Sequence, residues 1–547
     1  MKTKHILIGS FLCILALGLN SCIDYLTEQE PGSQMLKDYF NNGKAAEGIT
    51  TGCYVPLMWE YNNTYYSEWF IGDVVSDDAL KGGQNVKDMD VAGDMENWRT
   101  TASNTLILDF YRAQYQGIAR CNLALKYIPE TPTDSLMDES MRQRFIGEVK
   151  YLRAYYYFRL LRVYGGVPLS LKVIDSSEDW NMPRASVEQI YSQIVADLKD
   201  AQSTLWVKSK YPAGEEGRVT KGAAEAMLMK VHLYMASPYW STYLTNSTRE
   251  SNLEAAKAWG DSIISSGEYE LVSNYADNFT LEGENGPESV FEIQYAEEGW
   301  GDFGSGNGFT SGTFTTRLTR SRSTKLTNKD AGWGFNRPTQ NLYDEFEAGD
   351  ARRDVAILNP TDDQLKDENG EINSDNFYFG IRYLNNKTGH YGYKLTHHSR
   401  GPLNKREIRY SDVLLMYAEV AAERGDAATA ETYLNKVREA RGMAAYTATD
   451  YYTTTTPSTG DKLKDAIRHE RRVELAMESH RWYDLVRWYG GDNGLDNYMN
   501  VIYKNTESEL AQNQMAAFRK GVNEIFPIPE EEFKLNLALQ GNQNPGY

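Results

Sequence analysis

The chain has 547 residues, of which 76 are Asp or Glu and 57 are Lys or Arg, giving a formal net charge of −19 at pH 7. A surface of that sign repels phosphate backbones and anionic lipid headgroups, which sets nucleic acid aside as a partner. The length allows a large core, built as several domains or as one extended helical assembly.

The chain opens with Lys2 and Lys4, an apolar run from Ile6 to Leu19, and then Leu19-Asn20-Ser21-Cys22, with small Ser21 directly before a cysteine. A basic start, a short apolar stretch and a small-residue processing site are the parts of a bacterial secretory leader, and the run is too short to span a bilayer comfortably. Residues 1–21 therefore read as a lipoprotein signal, with Cys22 as the lipidated residue. Each buried CH₂ of an acyl chain contributes about 0.8 kcal/mol, so a multiply acylated Cys22 holds a soluble domain at a membrane without a transmembrane helix. Residues 22–35 are polar, contain Pro31-Gly32 and read as a tether; the folded body is expected over 36–547. Of the four cysteines, Cys13 leaves with the leader and Cys22 carries lipid. Cys53 and Cys121 remain where a disulfide is permitted, and spacing leaves their pairing open. There is no CxxC, and the seven histidines do not cluster with cysteines at zinc spacing.

Helical periodicity follows in pairs of segments. Helices are predicted over 36–58, 105–127, 138–164, 218–236, 251–266, 408–423, 427–441 and 462–488. Another starts at a capping box, Ser186 with Gln189, and continues through Val187, Ile190, Tyr191, Ile194 and Leu198 at steps of three and four. The class is mainly α, and helix pairs within about 105–266 and 408–488, joined by short turns, suggest tetratricopeptide-like units that share a continuous core. Between them, residues 59–104 and 281–405 read as loops with short strands, the second being rich in Gly, Ser, Thr, Asn and aromatics, among them Tyr295, Trp300, Phe303, Phe309, Trp333 and Phe335. A helical scaffold holding large aromatic loops suits ligand binding. Most of the 38 tyrosines are expected in packing at helix interfaces, their hydroxyls reaching water.

Two constellations invite a catalytic reading and fail it. The segment from His469 to Trp488 is the densest charge cluster, but Val473 stands where a metalloprotease needs histidine. Glu470, Glu474 and Glu478 share one helical face, whereas a general acid and base must flank the scissile bond, so the segment reads as a core helix with Arg–Glu pairing. Gly304-Ser305-Gly306-Asn307-Gly308 lacks the strand, helix and Gly-Lys-Ser/Thr of a phosphate-cradling loop. No G-x-S-x-G element supplies a nucleophile turn. Arg317, Arg320, Arg322 and Lys325 form a local basic patch, read as a solvated or ion-paired loop.

Several blocks, taken together, carry a resemblance: GEVKYLRAYYYFRLLRVYGGVPL (147–169), PRASVEQIYSQIVADL (183–198), GRVTKGAAEAMLMKVHLY (217–234), PTQNLYDEFEAGDARRD (338–354), IRYSDVLLMYAEVAAE (408–423), LNKVREARG (434–442), ERRVELAMESHRWYDLVRW (470–488), and FPIP with QNPGY near the end. In this order, behind a lipobox, they resemble the SusD/RagB family of surface lipoproteins that deliver glycans to TonB-dependent outer-membrane transporters. Asn536-Leu537 departs from the Asn-Pro often found there. The resemblance implies a non-catalytic protein without a cofactor, lying as a lid on a SusC-like TonB-dependent transporter in the outer membrane. It also implies ligand contacts in the loops: aromatic Trp98, Tyr295, Trp300 and Trp333, with Asp77, Asp78, Lys81 and Asn104 as hydrogen-bonding partners. Pyranose C–H faces rest on aromatic rings, and hydroxyls need partners of fixed direction. The alternatives are a lid that captures peptides, and a surface glycoside hydrolase using Asp77, Asp78 or the Glu297-Glu298 pair.

Overall fold

A computed structural model describes residues 39–59, 67–174, 180–297, 311–322, 331–361, 393–397, 400–447, 457–507 and 509–547, with short pieces at 364, 377–378, 381–382, 385–387 and 449. The signal, Cys22, the tether, Trp300, the 304–308 glycine run and Lys325 lie outside the described residues.

The predicted helices form, the one expected over 36–58 being α-helical over 43–54, and side-chain caps fix their starts. Asn42 accepts the Ala45 amide to begin α1 (Gly43–Tyr54). After the short β1 (Ala79–Gly82) and α2 (Asp90–Glu96), Asn104 accepts the Leu106 amide at the head of α3 (Thr105–Tyr127). Asp138 caps α4 (Glu139–Tyr164), which ends where Gly165 takes φ 71°, a left-handed value that glycine adopts without a Cβ penalty. The capping box of Ser186 and Gln189 opens α5 (Val187–Thr204). Thr220 starts α6 (Lys221–Met235), and Thr248 with Ser251 starts α7 (Arg249–Ser265). Later come α8 (Tyr410–Glu423) and α9 (Ala427–Ala440), the latter capped by Asp426. Each such cap satisfies an amide that has no partner within the helix, worth about 1 kcal/mol.

Helices pack as neighbours in the chain: α3 on α4, α4 on α5, α5 on α6, α6 on α7 and α8 on α9, with α8 closing against α6 and α7. This is the paired, tetratricopeptide-like stack the sequence predicts. One hydrophobic cluster runs through it, and α4 lies at its centre. Tyr151, Tyr156, Tyr157 and Tyr164 of α4 are completely buried. Three of their hydroxyls find main-chain acceptors, Tyr156 on Cys53, Tyr157 on Ser170 and Tyr164 on Ile107. Among the described residues no helix is long and apolar enough to cross a membrane.

Two predictions are corrected. The helix expected from 408 begins as a strand: β2 (Ser289–Ile293) pairs antiparallel with a strand over Lys405–Arg409, and α8 starts only at Tyr410. The helix expected over 462–488 is two, α10 (Lys462–Glu474) and α11 (Arg481–Tyr489). Between them Met477 and Ser479 take positive φ. The cause is tertiary, since the turn at 70–74 packs on this break. Asp73 accepts the Ser479 amide at 2.9 Å, and a Cβ on Gly72 would lie 2.4 Å from the Ser479 carbonyl oxygen.

The strand β3 (Phe335–Pro338) pairs antiparallel with β1, Gly82 opposite Phe335 and Ala79 opposite Pro338; β4 is the strand at Lys405–Arg409. This short ladder joins the early loop region to the middle one and is the mount of the candidate site.

Candidate ligand-binding site

Beneath the loops lies a lattice of buried ion pairs built by α10 and α11. The three glutamates of the 470–478 stretch face arginines, as the sequence predicts: Glu470 meets Arg352 and Arg438, Glu474 meets Arg352, Arg409 and Arg441, and Glu478 meets Arg409. Glu478 does so from beyond the end of the helix.

Asp77 and Asp78 belong to this lattice, which corrects their expected role as ligand partners. Asp77 is 0% exposed; it accepts Arg481 through Nε at 2.7 Å and Nη2 at 2.8 Å, has Arg472 at 3.1 Å and takes the Tyr498 hydroxyl. Burial pushes its carboxyl up, but Arg472 and Arg481 outweigh burial and hold it well below the usual range. Asp78, bonded to Arg472 at 2.8 Å, is pushed up to about 6 by burial, with the neighbouring Asp77 adding to the rise against the pull of Arg472. Removing one partner of such a pair costs about 3–5 kcal/mol, so these acids hold the head of β1 to α10 and α11. Their main chain holds β3 as well: Thr339 donates its amide to the Asp78 carbonyl and its hydroxyl to the Asp77 carbonyl.

Lys81 and Asn104 are also turned inward. The Lys81 ammonium, in a side chain 1% exposed, donates to the carbonyls of Asn85 at 3.1 Å and Asp88 at 2.6 Å, tying down the loop that follows β1. Asn104 caps α3 and donates to the Val91 carbonyl at 2.9 Å, which locks α2 against α3. Trp98 sits just after α2 at φ 53°, 4% exposed, edge-on to Phe518 with ring centroids 5.6 Å apart. It borders a surface cleft of about 610 Å³ formed with Thr100, Arg519 and Tyr547.

Trp333 and Tyr295 are half-buried and lie on the loop face. Trp333 directly precedes β3, stands edge-on to Phe314 at 5.2 Å, and follows its neighbours onto the ladder, where the Gly83 amide donates to the Gly334 carbonyl at 2.9 Å. Tyr295, its amide held by Asn404 at 2.8 Å, lines a cavity of about 100 Å³ with Trp69, Phe279, Thr313, Asn336 and Lys405. The ladder thus sets Lys81 over the ring of Phe335, two residues after Trp333, and α2 links Lys81, Asn104 and Trp98, while Tyr295 borders a different cavity from Trp98. Trp69 was missed at the sequence level. The signal available was an aromatic residue within the early loop region 59–104; its indole donates to Thr315 at 3.1 Å and braces the cavity wall.

At the cavity floor Glu68 meets Lys405 at 2.6 Å, Arg159 at 3.2 Å and Arg162 at 3.3 Å. Burial raises its carboxyl, and Arg159, Lys405 and Arg162 together overcome that and keep it ionised. A carboxylate so clamped donates no proton, so it is no general acid. The cavity offers aromatic walls with fixed polar groups, which suits a hydroxylated ring. Glu297, the described member of the loop acid pair, accepts the Thr396 hydroxyl. Of the described basic-patch residues, Arg320 is buried and Arg317 and Arg322 are half-buried, each bonded to a main-chain carbonyl: Arg317 donates to Ala331, Arg320 to Tyr393 at 2.7 Å and Arg322 to Trp333 at 3.5 Å. Glu347, His469 and Glu470 come close enough for a metal ion, but Arg438 bridges both glutamates at 2.6 and 2.8 Å. The bonds His469 donates to Glu345 and Glu347 outweigh burial and push its imidazole up to about 9, so cations already fill that role.

The SusD family pattern matches residues 287–547, and a pattern described as starch-binding, associating with outer membrane, matches residues 24–233. A SusD-like protein, P38, of Formosa agariphila is 27% identical over 521 residues, covering 89% of this chain and 92% of that protein. A solved laminarin-binding SusD-like protein is 28% identical with a TM-score of 0.72, covering 93% of this chain and 100% of the other. Surface glycan-binding protein A from Bacteroides thetaiotaomicron, 23% identical, shares the fold with a TM-score of 0.73 over 93% of this chain and 100% of its own. The chain belongs to the SusD/RagB family of non-catalytic, glycan-binding outer-membrane proteins.

Proposed function

We propose that this protein is a surface lipoprotein, anchored through Cys22 after removal of residues 1–21, that captures a β-glucan on its loop face and passes it to a SusC-like TonB-dependent transporter. One observation carries the reading: the β1–β3 ladder gathers two distant loop regions into a single platform bearing Trp333, beside the aromatic cavity of Trp69 and Tyr295. The similarity along nearly the whole chain to a laminarin-binding protein supports a β-glucan as the ligand class. Residues 22–35 serve as the tether and 36–547 as the binding body. Lipid tethering confines the receptor beside its transporter and raises effective concentration, so modest sugar affinity suffices.

The test is calorimetry of the mature chain with laminarin oligosaccharides, starch oligosaccharides, xylan fragments and peptide pools. Laminarin binding without new reducing ends is the expected result. Turnover would restore the hydrolase reading, and binding confined to the peptides would replace glycan capture by peptide capture. Co-purification of a barrel protein from detergent-extracted outer membranes tests the partner.

A further inference from the structure

Cys53 lies in the last turn of α1, and Cys121 lies in α3, the helix that α1 packs across. Both are 0% exposed, and neither is in a disulfide. One residue before each cysteine the helices are bonded directly, Arg120 Nη1 donating to the Gly52 carbonyl at 3.0 Å. Tyr156 closes the site from α4. Its hydroxyl donates to the Cys53 carbonyl at 2.7 Å, and its ring fills the space over Gly117, one turn before Cys121, where a Cβ would lie 2.4 Å from the ring. The Cys53 thiol donates to the Ile49 carbonyl at 3.3 Å. Burial, then the neighbouring Cys53, pushes the Cys121 thiol well up, so it is inert once the fold has closed.

The geometry points to Cys53 and Cys121 as a disulfide pair that staples the first helix to the helix stack in the exported protein. The bond forms before burial is complete. A thiolate of the folding chain attacks one sulfur of a protein disulfide of the thiol–disulfide oxidoreductase class, and that S–S bond breaks as a mixed disulfide forms. The second cysteine, having lost its proton, displaces the donor. The pair has then given up two electrons and two protons, and the donor leaves as a dithiol. The staple stands between the N-terminal tether and the body, so a pull along the tether reaches α3 through a covalent bond. This rests on the reading that the chain is exported.

The experiment uses the full chain in an exporting bacterium. Outer membranes are dissolved in denaturant with iodoacetamide and no reductant, and the digest is read by mass spectrometry. A peptide pair joining residues 53 and 121, with neither carbamidomethylated until reductant is added, is the expected result. Both cysteines labelled without reductant, in acylated protein from the outer membrane, would overturn the staple and leave the export reading standing. Unacylated protein confined to the cytosol would overturn the export reading and the staple with it. Urea unfolding gives a second readout. Reductant should lower the wild-type midpoint and leave Cys53→Ala and Cys121→Ala unmoved; a wild-type midpoint indifferent to reductant would overturn the proposal.

Discussion

Asp77→Ala separates a ligand contact from a structural anchor. In the folded protein the Asp77 carboxylate receives two bonds from Arg481, lies 3.1 Å from Arg472 and takes the Tyr498 hydroxyl. Arg472 keeps Asp78 at 2.8 Å and Glu345 at 3.2 Å after the substitution, whereas Arg481 loses both of its short bonds to Asp77 and has Asp78 at 3.8 Å. Removing one partner of a buried ion pair costs about 3–5 kcal/mol. Unfolding entropy of about 2.1 cal/mol/K per residue gives roughly 1 kcal/mol/K for a body of about 500 residues, so the thermal midpoint should fall by roughly 3–5 °C. Differential scanning calorimetry measures the fall, and calorimetry with laminarin oligosaccharides at 10 °C, where the variant is folded, should return wild-type affinity. The wild-type carboxyl, depressed in the fold, also contributes stability that is present above its unfolded value and lost as pH falls through its lower folded value. The variant should therefore lose less stability than wild type on acidification. An unchanged midpoint with lost glycan binding would refute the reasoning and return Asp77 to the ligand.

His469→Gln tests the opposite sign. Its imidazole is raised to about 9 in the fold against an unfolded value near 6.5, so it contributes up to about 3 kcal/mol below pH 6.5, which is lost as pH rises to 9. Denaturation midpoints of wild type should fall across that window, and those of the variant should stay flatter. Gly72→Ala places a Cβ against the main chain of Ser479, which cannot give way as a flexible side chain would, and should cost about 1–3 kcal/mol or more by urea titration. Trp333→Ala and Tyr295→Ala remove half-buried rings from the loop face. Each should weaken laminarin binding about tenfold by isothermal calorimetry while moving the thermal midpoint less than Asp77→Ala does.

The helical frame was readable from the sequence because its signals are local. A cap and a period of 3.6 lie within a few residues of the helix they define, and α3 runs over Thr105–Tyr127 as its pattern predicts. The break between α10 and α11 was not readable, since Leu475 to His480 contains neither Gly nor Pro. What opens the helix there is the turn carrying Gly72 and Asp73, 406 residues away from Ser479 along the chain. Distance along the chain also hid the role of Asp77 and Asp78. Two adjacent acids in a loop region look solvated until Arg481, 404 residues on, is placed against the first. Lys81 and Asn104 mislead in the same way, because their partners are main-chain carbonyls, which no side-chain pattern announces.

Placing Asp77, Asp78, Lys81 and Asn104 inside the scaffold and Trp333 and Tyr295 at its edge changes how specificity is built. A buried lattice of arginines and carboxylates gives little net stability compared with an apolar core of the same volume, because desolvation offsets much of the Coulomb gain. It does punish misregister, since any shift strands a charge. Here the lattice joins α10 and α11 to β1 through Asp77 and Asp78, and the Thr339 bonds carry that register to β3 and so to Trp333. A loop face mounted in this way can change its aromatic side chains without disturbing its position, because these mounting bonds come from carboxylates, guanidinium groups and Thr339. On this reading a swap of ring type at Trp333 or Tyr295 should alter which glycan is held and leave the fold intact, whereas any substitution in the Asp77–Arg472–Arg481 group should shift stability for every glycan alike.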